Sequence, residues 1–445
     1  MTGRGWPSGG RAIVLVGGGQ ASASAARTLR RRGYDGAIVV IGDEPHPPYQ
    51  RPPLSKEYLA TGDDSSLDLL PEKWCADNAV EVRTGARVVA VSPPDGGVVL
   101  DDGSSVRADA VLLATGARPR RLPGSRLPGS QSPADDGVCY LRSRDDADRL
   151  RPRLAPGRRL VIIGGGFIGG EVASAALERG AAVTVLEAGP APLAQAIGPR
   201  LGAAYARLVR EAGVDLRTGA SVTGVRRVRS GRLVVATSRG DVEADAVVAG
   251  IGAVPNSDLA AGSGIDADDG ILVDEYCRTS HDRVFAAGDV ARHAHPGAGG
   301  RIRVEHFDNA SRQGAVAARN MLGEAVPYDD PHWFWSDQFG RNLQHVGHAG
   351  AGDRMVVRGS LDEDSWTAFF VSGDTPGSVS GGASGGRVTA AFALDNGEDI
   401  AVARELISLR AREAGRGRLA GEARLADEIL ADPQADLIEA MEELA

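Results

Sequence analysis

The stretch Leu160-Val-Ile-Ile-Gly164-Gly165-Gly166-Phe-Ile-Gly169-Gly170-Glu171, which leads to Val183-Thr-Val-Leu-Glu187, decides the fold. Its apolar opening, rich in β-branched residues, reads as a buried parallel strand. Gly164, Gly166 and Gly169 spell G-x-G-x-x-G, and Glu171 to Gly180 reads as a helix closed by glycine. A second strand ends in Glu187, an acid where a nucleotide ribose is bound. A tight turn, a helix N-terminus aimed at a pyrophosphate and a carboxylate for ribose hydroxyls make a dinucleotide-binding unit. With 60 glycines in 445 residues the bare motif also recurs by chance, as in Gly415-x-Gly417-x-x-Ala420, which has no strand before it. Context separates the two.

A second unit precedes the first. Ala12 to Val16 is a strand running into Gly17-Gly18-Gly19, and a helix follows to about Gly33. Ser22 stands where the third glycine would give close helix–strand packing. The next strand, from Ala37, ends near Asp43 and Glu44, at least one of which is expected to bind a ribose. Five prolines between residues 45 and 53 then predict a stiff loop without regular structure, ending at Lys56. Arginine supplies all but two, Lys56 and Lys73, of the 50 basic residues, so a lysine here is a sign that a compact ammonium is wanted. Each unit closes on an echoing segment, Asp109 to Pro119 with Ala114, and Asp245 to Pro255 with Gly252. Each segment follows a pattern of short antiparallel strands, 81–100 and 214–243. The tandem Arg121-Leu-Pro-Gly-Ser and Arg126-Leu-Pro-Gly-Ser between them read as a linker. Gly288-Asp289 then places a carboxylate at the end of a short strand, where ligands of open α/β sheets bind. A helix beginning near Glu305 and stopping at Gly323 would present its positive end to an electron-rich ring. From about residue 331 the chain reads as an aromatic cluster, three strands and two mixed-charge helices, 398–414 and 421–444, with a solvated face.

The bulk numbers exclude several classes. A net charge of -9 argues against nucleic acid or an anionic membrane as the main partner. No apolar run approaches the ~18 residues of a membrane span, and the Gly-rich opening lacks a signal-peptide core. Cys75, Cys139 and Cys277 have no metal or redox spacing, which fits a reducing cytoplasm.

Two dinucleotide units, the second inserted into the first, imply FAD plus NAD(P). Together with Tyr49-x-Arg-Pro-Pro-Leu-Ser-Lys56, Ala114-Thr-Gly116, Thr279…Gly288-Asp289, Val304-Glu-His306 and Phe334-Trp-Ser-Asp-Gln338, they make the chain resemble the NADH-dependent ferredoxin and rubredoxin reductases of oxygenase systems. The resemblance spans roughly residues 11–430. It implies an α/β fold with two Rossmann-like dinucleotide-binding domains of glutathione-reductase type and a C-terminal α+β domain. The expected divisions are 1–125 with 255–330 for FAD, 126–254 for NAD and 331–445 for the C-terminal domain. It also implies roles. Gly17, Gly19 and Asp43 or Glu44 hold the ADP part of FAD, with Ala114 and Gly252 among the cofactor-binding positions. Arg51 and Lys56 line the flavin, Asp289 accepts from the ribityl chain, and Glu305 and Trp335 lie near the isoalloxazine. Gly164, Gly166, Gly169 and Glu187 hold NADH, and Glu171 pairs with Lys56 as the catalytic couple beside the ring. The implied acceptor is an iron–sulfur ferredoxin or a rubredoxin, with no metal in the reductase itself and a monomer or homodimer as its state. Ser22, Phe307 where the family often has Trp, and a longer linker depart from the pattern.

Two other readings compete. A flavin disulfide reductase or NADH oxidase of the same fold needs a nucleophilic cysteine near the flavin, and residues 20–60 contain none. An NADH-sensing flavoprotein would act by changing partners on reduction.

Overall fold

The computed structural model describes residues 12–92, 96–123, 137–373, 386–415, 425 and 427–442. The expected linker falls mostly, and the chance motif at 415–420 almost wholly, outside them. The chain divides into two compact units, Met1–Gln50, Ser65–Arg118 and Val254–Asp330 in one, Arg51–Asp64, Pro119–Ala253 and Pro331–Ala445 in the other.

In the first unit, five parallel strands lie in the order Val284–Ala286, Ala110–Leu113, Ala12–Val16, Ala37–Ile41 and Val80–Arg83. The expected strands are the central ones, and the pairing of non-consecutive strands follows from the crossover helices. Val14 and Leu15 point to opposite faces and both are fully buried. Leu15 packs with Ala25, Leu29 and Ala317 of two helices, Gln20–Arg31 and Phe307–Met321. Val14 packs with Val91, Val98 and Val106 of a small antiparallel sheet, Val88–Val91, Gly97–Leu100 and Ser105–Arg107. A sheet covered on both faces explains why its strands read as unbroken apolar runs.

The second unit repeats this plan. Asp215–Thr218, Ala182–Glu187, Arg159–Ile163, Ala246–Ala249 and Val138–Cys139 form a parallel sheet in that order. The antiparallel insert is Val222–Arg227, Leu233–Thr237 and Val242–Ala244. The same unit holds an antiparallel sheet ordered Trp333–Gln338, Arg341–Gly347, Arg387–Leu394, Trp366–Ser372, Arg354–Gly359. The α/β class and the C-terminal α+β part are therefore as the sequence implied.

Several local expectations need correction. The proline loop is not irregular throughout: Pro52–Ser55 is a 3₁₀ turn with proline at its first position, running into the helix Glu57–Thr61. Proline is tolerated there because a helix's first N–H groups lack partners anyway. The nucleotide helix starts at Phe167, not Glu171, so Glu171 lies inside it and is buried. The later helix starts at Phe307 with His306 as its N-cap, which leaves Glu305 outside. The aromatic cluster is an edge strand. Among the described residues, the last part holds one long helix, Gly397–Gly415, and two short ones, Asp427–Ala431 and Leu437–Glu442, separated around Pro433. Not all of their apolar side chains face solvent: Leu406, Leu430 and Leu437 are buried against Val346 and Phe369 of the sheet, while Ile438 is exposed.

Candidate functional site: two nucleotide crevices and a buried lysine–glutamate pair

In the first unit, strand Ala12–Val16 ends at Gly17, whose φ is +124°. A Cβ there would sit 2.1 Å from the carbonyl oxygen of Ala114. Only glycine makes this turn. The helix Gln20–Arg31 then begins at Gly19, an N-cap with no side-chain hydrogen bond, no acidic residue in its first turn and open space where a Cβ would lie. Uncapped N–H groups facing open space suit the diphosphate of a dinucleotide. Ser22 is fully buried and its hydroxyl finds no partner among the described residues. An unpaired buried hydroxyl costs about 1–3 kcal/mol. Ser22→Ala is therefore expected to raise the thermal midpoint of the protein, read by scanning calorimetry, and a lower midpoint would mean that the hydroxyl has a partner.

The acids of this unit differ in their setting. Asp43 is exposed, whereas Glu44 Oε2 accepts from the Tyr49 hydroxyl at 2.5 Å and is oriented by it. Asp289 is half-buried and follows a turn fixed from beneath. There the Gly288 N–H donates to Gln313 Oε1 at 2.9 Å, and the Gln313 amide reaches His293 Nδ1 at 2.9 Å. Glu305 is exposed and ion-paired with Arg303. His306 Nδ1 accepts from the Asp308 N–H at 3.3 Å, so the helix end expected to face the ring is partly capped by its own chain.

The second unit repeats the turn. Gly164 has φ +104°, and a Cβ would meet the Gly250 carbonyl at 2.3 Å. Gly166 is an uncapped N-cap with open space beside it, and a Cβ on Gly169 would meet the Gly164 oxygen at 2.2 Å. Glu187 is held by backbone: Oε2 accepts from the Gly165 N–H at 2.8 Å and Oε1 from the Gly189 N–H at 2.6 Å. Each oxygen keeps a further lone pair for a ribose hydroxyl. Gly252 has φ +99°, and its carbonyl accepts from the Arg120 N–H at 2.9 Å.

Lys56 and Glu171 meet in the same unit. Nζ lies 3.1 Å from Oε1, with side-chain exposures of 13% and 5%. The Ser55 hydroxyl donates to Oε2 and the Ser336 hydroxyl to Oε1. Ser336 in turn accepts from Gln338 Nε2 at 2.7 Å, and Gln338 Oε1 accepts from the Tyr205 hydroxyl. A buried carboxylate with one cation and two hydroxyls is fully met, as a buried charge must be. Ser55, Ser336 and Gln338 lie in the motifs that carry the family resemblance but were given no role there, and Tyr205 lies in none; Ser336 and Gln338 also alternate on one strand face. Arg51 Nη1 donates to the Arg142 carbonyl at 2.8 Å. Trp335 stacks on Trp333, rings 5.1 Å apart. The other lysine, Lys73, is 88% exposed and pairs with Asp77 at 3.1 Å.

Two of the three cysteines, Cys75 and Cys277, are buried. Burial raises the Cys75 thiol and raises that of Cys277 much further, and Cys139 accepts from Arg153 Nη1 at 3.4 Å. Replacing Cys75, Cys139 and Cys277 together by Ser is expected to leave carrier reduction within a few-fold. Loss of activity with flavin retained would restore the disulfide-reductase reading.

Two uncapped dinucleotide crevices and a buried ion pair define a flavoprotein oxidoreductase working with NAD(H). Residues 11–314 match the pyridine nucleotide-disulphide oxidoreductase model, and 333–441 match the reductase C-terminal model. The chain belongs to the pyridine nucleotide-disulphide oxidoreductase family, whose members use FAD and NAD(H). It is 40% identical to the anthranilate 1,2-dioxygenase system ferredoxin–NAD(+) reductase component of Burkholderia cepacia, over 89% of this chain and 94% of that one. It is 41% identical to rhodocoxin reductase of Rhodococcus erythropolis, over 81% and 84%. A crystal structure of the covalent putidaredoxin reductase–putidaredoxin complex matches with a TM-score of 0.87 at 33% identity, over 98% of this chain and 99% of that one. Among the described residues no helix is long and apolar enough to cross a membrane.

Proposed function

We propose that the protein is an FAD-dependent NADH:ferredoxin reductase, acting in the cytoplasm, whose acceptor is a 2Fe-2S ferredoxin or a rubredoxin that feeds an oxygenase. The observation that carries the reading is the buried Lys56–Glu171 pair. The named relatives support it, since their partners are carriers of this kind.

Bound FAD supplies acceptance of a hydride from NADH and release of the two electrons one at a time. The protein supplies position and electrostatics. Gly17, Gly19, Asp43 or Glu44, Ala114 and Asp289 are assigned to FAD, with Arg51, Glu305 and Trp335 toward the ring, and Gly252 is a cofactor-binding position of the segment that closes the second unit. Gly164, Gly166, Gly169 and Glu187 are assigned to NADH. Lys56 offers a cation toward negative charge gained on reduction, and Glu171 orients it. In this assignment 1–125 with 255–330 carries FAD, 126–254 carries NADH and 331–445 is the C-terminal reductase domain.

Asp289→Ala is expected to purify largely without flavin, because a charge-assisted bond to a hydroxyl contributes about 1.5–3 kcal/mol. Full flavin absorbance in that variant would remove Asp289 from the assignment. The function itself is tested by reducing the purified protein with NADH under argon and adding a 2Fe-2S ferredoxin. Rapid, catalytic reduction of the carrier is the expected result. Bleaching of the flavin without transfer to any carrier would favour the NADH-sensing reading.

A further inference from the structure

The chain of donors behind Glu171 has a fixed direction, and that direction follows from charge. An ionised carboxylate can only accept. The Ser336 proton therefore goes to Glu171, so the Ser336 oxygen must accept from a nitrogen, which sets the Gln338 amide with Nε2 toward Ser336. Its Oε1 then faces Tyr205, whose hydroxyl must donate. Had the amide the opposite orientation, Ser336 would give its proton to Gln338 and leave Glu171 one donor short. Tyr205 is buried, and burial, followed by the negative charge of Glu171, raises its phenol so that the proton stays on the ring oxygen.

The packing is built around this line. A Cβ on Gly170 would lie 2.0 Å from Gln338 Oε1 and 2.3 Å from the Tyr205 hydroxyl. The strand Trp333–Gln338 is also tied to the helix Phe167–Glu178 at two backbone points: Gln338 Nε2 to the Phe167 carbonyl at 3.4 Å, and the Phe339 N–H to Ser174 Oγ at 2.8 Å. Among the described residues, Lys56 is ion-paired with Glu171 and the charge of Glu171 also acts on Tyr205.

We propose that Tyr205, acting through Gln338 and Ser336, is a positioning residue that holds Glu171 aimed at Lys56. The inference rests on the assignment of the Lys56–Glu171 pair to the flavin site. Tyr205 touches neither member of the pair; it fixes the amide that fixes the hydroxyl. Removing its hydroxyl leaves Gln338 Oε1 without its donor and the amide held only through Nε2, by Ser336 and the Phe167 carbonyl, so the donor to Glu171 is less firmly oriented.

The test uses the full FAD-loaded chain with Ser336→Ala, Tyr205→Phe and Gly170→Ala, the last displacing the line without deleting any of its hydroxyls. The first measurement is infrared: a carboxylic-acid stretch that Glu171→Gln abolishes, followed from about pH 8 down to about pH 3, which spans the ordinary carboxylate range. In each variant that band is expected to grow in at higher pH than in the unsubstituted protein. The displacement should be largest, about one pH unit, for Ser336→Ala and smaller for Tyr205→Phe. The second is the pH profile of flavin reduction by NADH, in which the variants gain an acid limb in kcat while KM for NADH stays within twofold or so. Wild-type infrared titrations in all three folded, flavin-loaded variants would overturn the proposal. So would a rise in KM with an unchanged kcat profile. The infrared arm needs neither NADH nor a carrier protein, so a failure of the ferredoxin-reductase reading leaves it intact and is separately visible.

Discussion

Lys56→Met is expected to lose stability and rate together, and the two losses can be separated. The ammonium lies 3.1 Å from Glu171 and both side chains are largely buried. Removing one partner of a buried pair leaves an uncompensated charge, at a cost of about 3–5 kcal/mol. The variant should therefore unfold at clearly lower temperature or denaturant. Its rate of flavin reduction by NADH should also fall, because charge gained on reduction no longer meets a nearby cation. One preorganised electrostatic group contributes about 2–4 kcal/mol to a barrier, or on the order of 30- to 1,000-fold in rate. Lys56→Met with Glu171→Gln removes the stranded charge. The double variant should recover most of the stability and none of the rate, measured by unfolding and by stopped-flow absorbance. Recovery of both would show that the pair serves folding alone, and a wild-type rate in the single variant would make Lys56 a bystander.

The second large effect is nucleotide choice, with NADH preferred over NADPH by at least tenfold in kcat/KM. Glu187 is anchored by the Gly165 and Gly189 N–H groups, so its carboxylate cannot swing away when a nucleotide enters. A ribose diol can share its remaining lone pairs, whereas a 2′-phosphate brings like charge. Two unit charges ~4 Å apart at an effective dielectric near 20 repel by up to ~4 kcal/mol. Solvent and salt leave part of that, and about 1.4 kcal/mol already amounts to tenfold. No basic residue follows Glu187 until Arg200, so nothing in that stretch offsets a phosphate. The comparison is made with a saturating artificial acceptor at fixed ionic strength. Equal use of NADPH would mean that the carboxylate lies away from the ribose.

What was legible in the sequence was local. Gly17 and Gly164 could be read because a steric demand at one residue fixes both spacing and residue type. Glu187 could be read because a parallel strand must end there. The donors around Glu171 could not, since Ser55, Ser336 and the Tyr205–Gln338 contact join residues 116, 165 and 133 positions apart. Nothing in a serine announces which carboxylate it will meet. The hairpin after Trp333–Gln338 was missed for a different reason. Its turn residues, Phe339 and Gly340, both have positive φ, +55° and +71°. Such two-residue turns usually advertise themselves with Asn-Gly or Asp-Gly, and phenylalanine in that role gives no warning. The terminal helices misled because their charges are conspicuous while the few leucines that seat them are widely spaced.

The near-exclusive use of arginine has a practical consequence. Amine-directed reagents ignore guanidinium groups, and of the two ε-amines Lys56 is enclosed with Glu171 while Lys73 stands 88% exposed. A dye, a bead or an electrode linker offered at limiting dose will therefore attach at Lys73 in preference to Lys56. A linker there breaks the ion pair with Asp77 and leaves the buried lysine untouched.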